Sequence, residues 1–187
     1  MRKLTTIAAL LIAAAMLTIT VHAEAGVDKP ATAQTNQTEQ TFADTYDLRT
    51  VTGITAAELA PYMHPETRHL AEDVIRICER EGVSAEFVAA VIRWERIPKI
   101  HNWFGWTAND GRYMVFADDT SGLEHCIRSI RDMYLTPKPP NADPDDIAGN
   151  CHNGYTVAAV SVMYNNTDFW RETIARQTEK IVGSVTG

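Results

Sequence analysis

The sequence is poor in cysteine, in basic side chains and in repeated or glycine-rich segments. Three cysteines in 187 residues are too few for a disulfide-built scaffold, so a packed apolar core has to hold the fold. Lys and Arg number 17 against 24 Asp and Glu, a net charge of -7. That deficit excludes nucleic acid as a partner, because phosphate binding needs a basic face. There is no internal repeat, no HExxH helix, no phosphate loop and no Ser-His-Asp signature. His64, His69 and His101 lack metal-ligand spacing, so neither a metal nor a cofactor is expected. What remains is an ordinary globular composition, 45% apolar and 22% charged, and a length that fits one domain with tails.

The one long uncharged run lies at the start. Arg2 and Lys3 precede residues 4–20, which carry no charge and are dominated by Leu, Ile, Ala and Met; Val21-His22-Ala23 then gives a small-x-small pattern. Residues 1–23 read as a secretory signal peptide cleaved after Ala23. The run is marginal in length and only mildly hydrophobic for a membrane anchor, so stable membrane insertion is not expected after cleavage. Removal leaves 15 basic against 24 acidic side chains, a net charge of -9. Residues 24–44 are rich in Thr, Gln and Ala and nearly lack large aliphatic side chains, and read as a flexible tether. The folded domain is expected over 45–187, as a secreted, wall-associated monomer.

Helical signals dominate that domain. Thr55 and Glu58 form a capping box. Pro65 suits a first helical position, and Leu70, Val74, Ile77 and Cys78 recur at helical spacing up to a stop at Gly82. Ser84 suits the cap of a helix reaching about Arg96, with Pro98 blocking it soon after. Ser121 and Glu124 read as a second capping box, opening a helix through Leu123, Ile127, Ile130 and Tyr134. Residues 136–154 form a Pro- and Asn-rich loop, and two helices follow over about 155–164 and 168–183. In the middle, Arg112-Tyr113-Met114-Val115-Phe116 reads as one strand of a small hairpin turning at Asn109-Asp110-Gly111. The expected class is α+β and mainly helical.

Glu95 stands out. It lies three residues after Ile92, four after Val91 and eight after Phe87, which places it on the apolar stripe of its helix. It also falls in the last turn, at the negative end of the helix dipole. Burial and the dipole both disfavour the ionised form, and a protonated carboxyl is what a general acid requires. The plain alternative is a surface Glu95 paired with Arg93, Arg96 or Lys99, and periodicity alone favours it. The aromatic cluster Trp103, Phe104 and Trp106 that follows shifts the balance, since aromatic faces beside a carboxylic acid hold sugar rings; core packing accounts for some of these rings.

Glu95 followed by Asn102-Trp103-Phe104-Gly105-Trp106 resembles the pattern of the autolysin and flagellar type of peptidoglycan N-acetylglucosaminidases, in which a helix ends in a catalytic Glu and an Asn-x-Phe-Gly motif follows. The flanks are similar too. Ile54 to Leu59 resembles the family's lead-in helix, and Gly82 to Val91 the stretch before its Glu. Residues 121–135 and 155–182 resemble its later helices. The similarity covers about residues 50–183. It implies a lysozyme-like fold, with a helical lobe, a small β-hairpin lobe and a cleft between them. It also implies hydrolysis of a β-1,4 glycosidic bond in peptidoglycan glycan strands. Glu95 would protonate the leaving oxygen, and Asn102, Trp103, Phe104, Trp106, Tyr113 and Tyr164 would line the sugar subsites.

The chain departs from the family in two places. The link Arg96-Ile97-Pro98-Lys99-Ile100-His101 is shorter, and no Glu stands between Glu95 and Glu124. Asp118 and Asp119 are nearest to the position of the family's second carboxylate, and the substrate's own acetamido group is a further substitute. Two alternatives follow. A lytic transglycosylase uses one Glu without water, although its Glu-Ser start and Gly-Leu-Met-Gln run are absent here. A non-catalytic wall-binding or assembly domain would also suit the shortened link and the missing Glu.

Cys78, Cys126 and Cys151 allow at most one internal bridge. Cys126 with Cys151 is the expected pair, stapling the long loop to a helix, while Cys78 lies on an apolar helix face. The doublets His125-Cys126 and Cys151-His152 suggest zinc less well, because adjacent helix residues point different ways.

Overall fold

The computed structural model describes residues 40–108, 110–141, 149 and 151–186. The expected export signal at 1–23 and the tether up to residue 39 lie outside the described residues. The described residues begin within the segment read as tether. Helix α1 (Phe42–Thr45) opens where the Asp44 carboxylate accepts from Thr41 N–H, and its Ala43 is buried against the later helices.

Helix α2 (Ala56–Leu59) starts at the Thr55–Glu58 capping box. The segment expected as one helix over 65–81 divides into a 3-10 turn (Pro65–Leu70) and helix α3 (Ala71–Glu81), which stops at Gly82 with φ +65°. Only the left-handed region closes a helix in this way, and glycine adopts it without a Cβ clash. Helix α4 (Ala85–Glu95) follows, its first turn capped by Ser84 Oγ accepting from Phe87 N–H at 3.1 Å. Helix α5 (Asp119–Ser129) runs on through a π-helical segment (Ile130–Leu135); α6 (Val157–Tyr164) and α7 (Asp168–Thr186) close the chain.

Helix α4 is the centre of the core. Phe87, Val88, Val91 and Ile92 are wholly buried, and α4 packs between α3 and α7, whose Trp170 and Ile174 are buried with it. Burying each of these large side chains contributes about 1.5–3 kcal/mol. Their common stripe fixes the rotation of α4, and with it the direction of Glu95.

The expected β-hairpin lobe does not form, and the domain is mainly helical rather than α+β. The described residues contain no β-strand, only the isolated bridges Asp47–Thr156, Ile97–Asn102 and Thr107–Tyr113. The cause is Asn102. Two backbone bonds of a hairpin are made, Met114 N–H to Trp106 O at 2.9 Å and Ala108 N–H to Arg112 O at 2.8 Å. The reciprocal bond from Trp106 N–H goes instead to Asn102 Oδ1 at 3.0 Å, and Asn102 Nδ2 donates to Met114 O at 3.0 Å. The amide of Asn102 thus inserts itself where the ladder would continue. A side chain competing for backbone groups in this way ends regular structure.

The cap of α5 also differs from expectation. Asp118 caps the helix by accepting from Ser121 N–H at 2.7 Å, and Ser121 is the last residue of the box rather than its first. Glu124 instead pairs with Arg80 at 2.9 Å. Among the described residues no helix is long and apolar enough to cross a membrane.

Candidate active site

Helix α4 carries two carboxylates off the solvent face, one at each end. Glu86 is wholly buried in the first turn, at the positive end of the dipole, where the hydroxyls of Ser84 (2.8 Å) and Thr52 donate to it. Its charge is satisfied, and its role is to anchor the chain before α4. Glu95, at the other end, is half-buried and pairs with no cation among the described residues. Arg93 turns away to the Tyr62 carbonyl, and Arg96 to the Arg93 carbonyl. Among the described residues, the one side-chain hydrogen bond to Glu95 comes from Trp170 Nε1, which donates to Oε1 at 2.8 Å. Burial raises the carboxyl above its ordinary 4.5, and the Trp170 N–H, which favours the ionised form, offsets part of that.

The short link after Glu95 is a tight reversal. Ile97 and Asn102 bridge through Ile97 N–H to Asn102 O at 2.8 Å, around a 3-10 turn at Pro98–Ile100. His101 then takes φ +53°, and its carbonyl packs so close to Gly122 of α5 that a Cβ there would lie 2.1 Å away. This reversal returns the chain directly onto Glu95. Gly105, at φ +64°, lies so close that a Cβ on it would meet Glu95 O at 3.0 Å and Oε2 at 3.2 Å. Glycine is required there twice over, by its left-handed backbone and by the approach to the carboxyl.

Glu95 opens into a cleft of about 600 Å³, within the range of small-molecule sites. Its walls include Phe104, Gly105 and Trp106 from the loop, His125 and Ser129 from α5, and Tyr134 and Tyr164 beyond. The aromatic walls are locked to one another and to the Glu95 site. Trp106 Nε1 donates to Tyr164 Oη at 2.8 Å, Tyr164 Oη donates to Phe104 O at 3.0 Å, and the Tyr164 ring stacks on Trp170 at 5.0 Å. Burial pushes the Tyr164 hydroxyl well above its ordinary value, so it remains a neutral donor.

The other residues singled out from sequence divide between loop, core and surface. Asn102 is wholly buried and serves the loop backbone, its Nδ2 also donating to Trp106 O at 2.7 Å. Trp103 is buried in the core, its Nε1 without a hydrogen-bond partner among the described residues. Phe104 is buried apart from its contribution to the cleft wall, while Tyr113 is 57% exposed and lies outside the lining. Asp118 is occupied as the α5 cap. Asp119 bridges His101 Nδ1 (2.5 Å) and His69 Nε2 (3.1 Å), which together hold its carboxyl below the usual range. Neither aspartate lines the cleft, and Glu95 is the only carboxylate among its described lining residues. Cys126 and Cys151 are free thiols, so the expected staple is not made; Cys126 is buried behind the Phe104 backbone and Cys151 sits beside Tyr134. His152 Nδ1 hydrogen-bonds the Tyr134 carbonyl at 2.7 Å.

Trp170, His125 and Tyr134 were not among the expected site residues. From sequence, Tyr134 reads as a member of an apolar helix stripe, and His125 enters only in the doublet His125-Cys126 weighed for zinc. Only the packing of α5 and α7 around the loop brings them to Glu95. No protein-family model matches the sequence, and no curated protein is significantly similar to it.

Proposed function

We propose that the protein hydrolyses β-1,4 glycosidic bonds in the glycan strands of peptidoglycan, with Glu95 as general acid. The observation that carries this reading is a half-buried carboxyl, with no cationic partner among the described residues, on the wall of a cleft lined by aromatic rings. Burial raises the Glu95 carboxyl above its ordinary value, which favours the protonated form that can deliver a proton to a leaving glycosidic oxygen. The faces of Trp106, Tyr134 and Tyr164 suit pyranose rings, and the hydrogen bond from Trp106 Nε1 to Tyr164 Oη holds two of these side chains in place. The resemblance of Glu95 and Asn102-Trp103-Phe104-Gly105 to the glucosaminidase pattern supports the same reaction. The leader-like residues 1–23 support an extracytoplasmic setting where that substrate is found.

A second reading, a lytic transglycosylase, is favoured by one observation: no second carboxylate stands among the described lining residues. In that reaction Glu95 would serve in turn as acid and base, and the sugar's own hydroxyl would replace water.

Incubation of the protein with purified sacculi, followed by mass spectrometry of the released fragments, tests both. Reducing-end products support hydrolysis, and anhydro sugars support the second reading. Release that persists unchanged in a folded Glu95→Gln variant would exclude Glu95 as the acid.

A further inference from the structure

Beside Glu95 the cleft holds an imidazole, and it comes from a different element. His125 projects from α5 into the lining, its ring edge-on to Trp106 at 6.2 Å and tilted against Phe116 at 5.2 Å. One side is open to solvent. No group among the described residues hydrogen-bonds either of its ring nitrogens, in contrast to His101 and His152, whose nitrogens are engaged. An aromatic-clamped imidazole with free nitrogens, sharing a cleft with a carboxylic acid, is placed to meet a ligand.

We infer that His125 is the catalytic base of the reaction, taking a proton from the water that attacks the anomeric carbon while Glu95 protonates the leaving oxygen. This rests on the glycan-hydrolase reading above. As the bond from C1 to the glycosidic oxygen breaks, the Glu95 proton passes to that oxygen. The water oxygen bonds C1, and one water proton passes to an imidazole nitrogen. The products are a reducing-end sugar, a free hydroxyl, Glu95 carboxylate and His125 imidazolium; proton exchange with solvent restores the starting forms. A general acid with a separate base acting on the attacking water is the inverting route of glycoside hydrolysis, here with imidazole in place of the second carboxylate.

The surroundings of His125 favour the neutral ring that a base must be. Burial against the two aromatic rings lowers its pKa from 6.5, and the Arg128 guanidinium on the same helix adds to this. The other titratable groups lining the cleft are Glu95 from α4 and the hydroxyls of Tyr134 and Tyr164, both pushed up by burial and uncharged. The reaction requires Glu95 protonated and His125 neutral. The rate falls on the acid side as the pair gains a proton and on the basic side as it loses one, with apparent values belonging to the pair.

The test is the pH dependence of kcat/KM on soluble peptidoglycan glycan strands, with the fold followed by circular dichroism. His125→Gln is expected to lose about a hundredfold or more in kcat with KM nearly unchanged, and to lose the acid limb. His125→Ala is expected to regain rate on addition of imidazole; it also carries the measurement should the Gln variant not fold. Retention of the acid limb with kcat within about threefold of the parent, or a rise in KM alone, would overturn the assignment. Either result would leave the glycan-hydrolase reading standing, with the substrate's acetamido group as the next candidate. Full activity of Glu95→Gln, or no turnover by the parent protein, would remove that reading and this inference with it.

Discussion

Trp170 Nε1 donates to Glu95 Oε1 at 2.8 Å, tying the first turn of α7 to the last turn of α4. The bond does two things at once. It orients the carboxyl toward the cleft, and it supplies a neutral dipole where a cation would have made Glu95 a simple ion pair. Trp170→Phe removes the donor and leaves the ring. The donor favours the ionised form, so its loss raises the Glu95 pKa further and moves the basic limb of the activity profile to higher pH. The smaller ring in a buried site costs on the order of 2 kcal/mol in urea unfolding. An unshifted basic limb would mean that Trp170 only packs.

Glu95 itself makes stability depend on pH. Its folded-state pKa lies above the ordinary 4.5, so the fold binds this proton more tightly than the unfolded chain does. The contribution is fully present below about pH 4.5 and is lost as pH rises through the folded-state value. Glu95→Gln carries no such loss. It is expected to melt above the parent protein at about pH 7 and together with it at about pH 4. Parallel melting curves across that range would place the carboxyl in water.

Gly105→Ala brings a Cβ within 3.0 Å of Glu95 O and 3.2 Å of Oε2, on a backbone at φ +64°. The left-handed conformation alone costs about 1–2 kcal/mol for alanine. The contact also displaces the carboxyl, so activity should fall more than stability does. A variant with normal turnover would show that the loop yields without moving Glu95.

Asn102→Ala removes three hydrogen bonds and leaves the Trp106 N–H with no partner inside the fold. A loss of about 2–4 kcal/mol is expected in urea unfolding, because an unsatisfied buried polar group costs more than a bond contributes. A stable variant whose KM rises would instead make Asn102 a sugar ligand.

Asp118→Ala removes the α5 cap without touching the cleft lining. Lower thermal stability with unchanged turnover is the expected result. A loss of turnover in a fully folded variant would return Asp118 to the reaction.

Helix positions were legible in the sequence because their signals are local: the Thr55 and Ser84 caps, the Gly82 stop, and the stripe of Phe87, Val91 and Ile92 that turns Glu95 inward. Local signals also suggested the hairpin, and there they misled. Asp110-Gly111 and the alternating residues after it describe a turn and an extended chain, but they do not reveal that the buried Asn102 amide takes the hydrogen bonds a second rung needs. Tyr164 was expected at the cleft only through the family resemblance, and Trp170 and His125 could not be assembled from sequence, since they lie 75 and 30 positions from Glu95 on separate helices. The sequence by itself determined a chain of capped helices with one carboxyl on an apolar face. Tertiary structure decided what surrounds that carboxyl, because the partners of a buried polar group are set by which helices meet, and that depends on side-chain packing over the whole core.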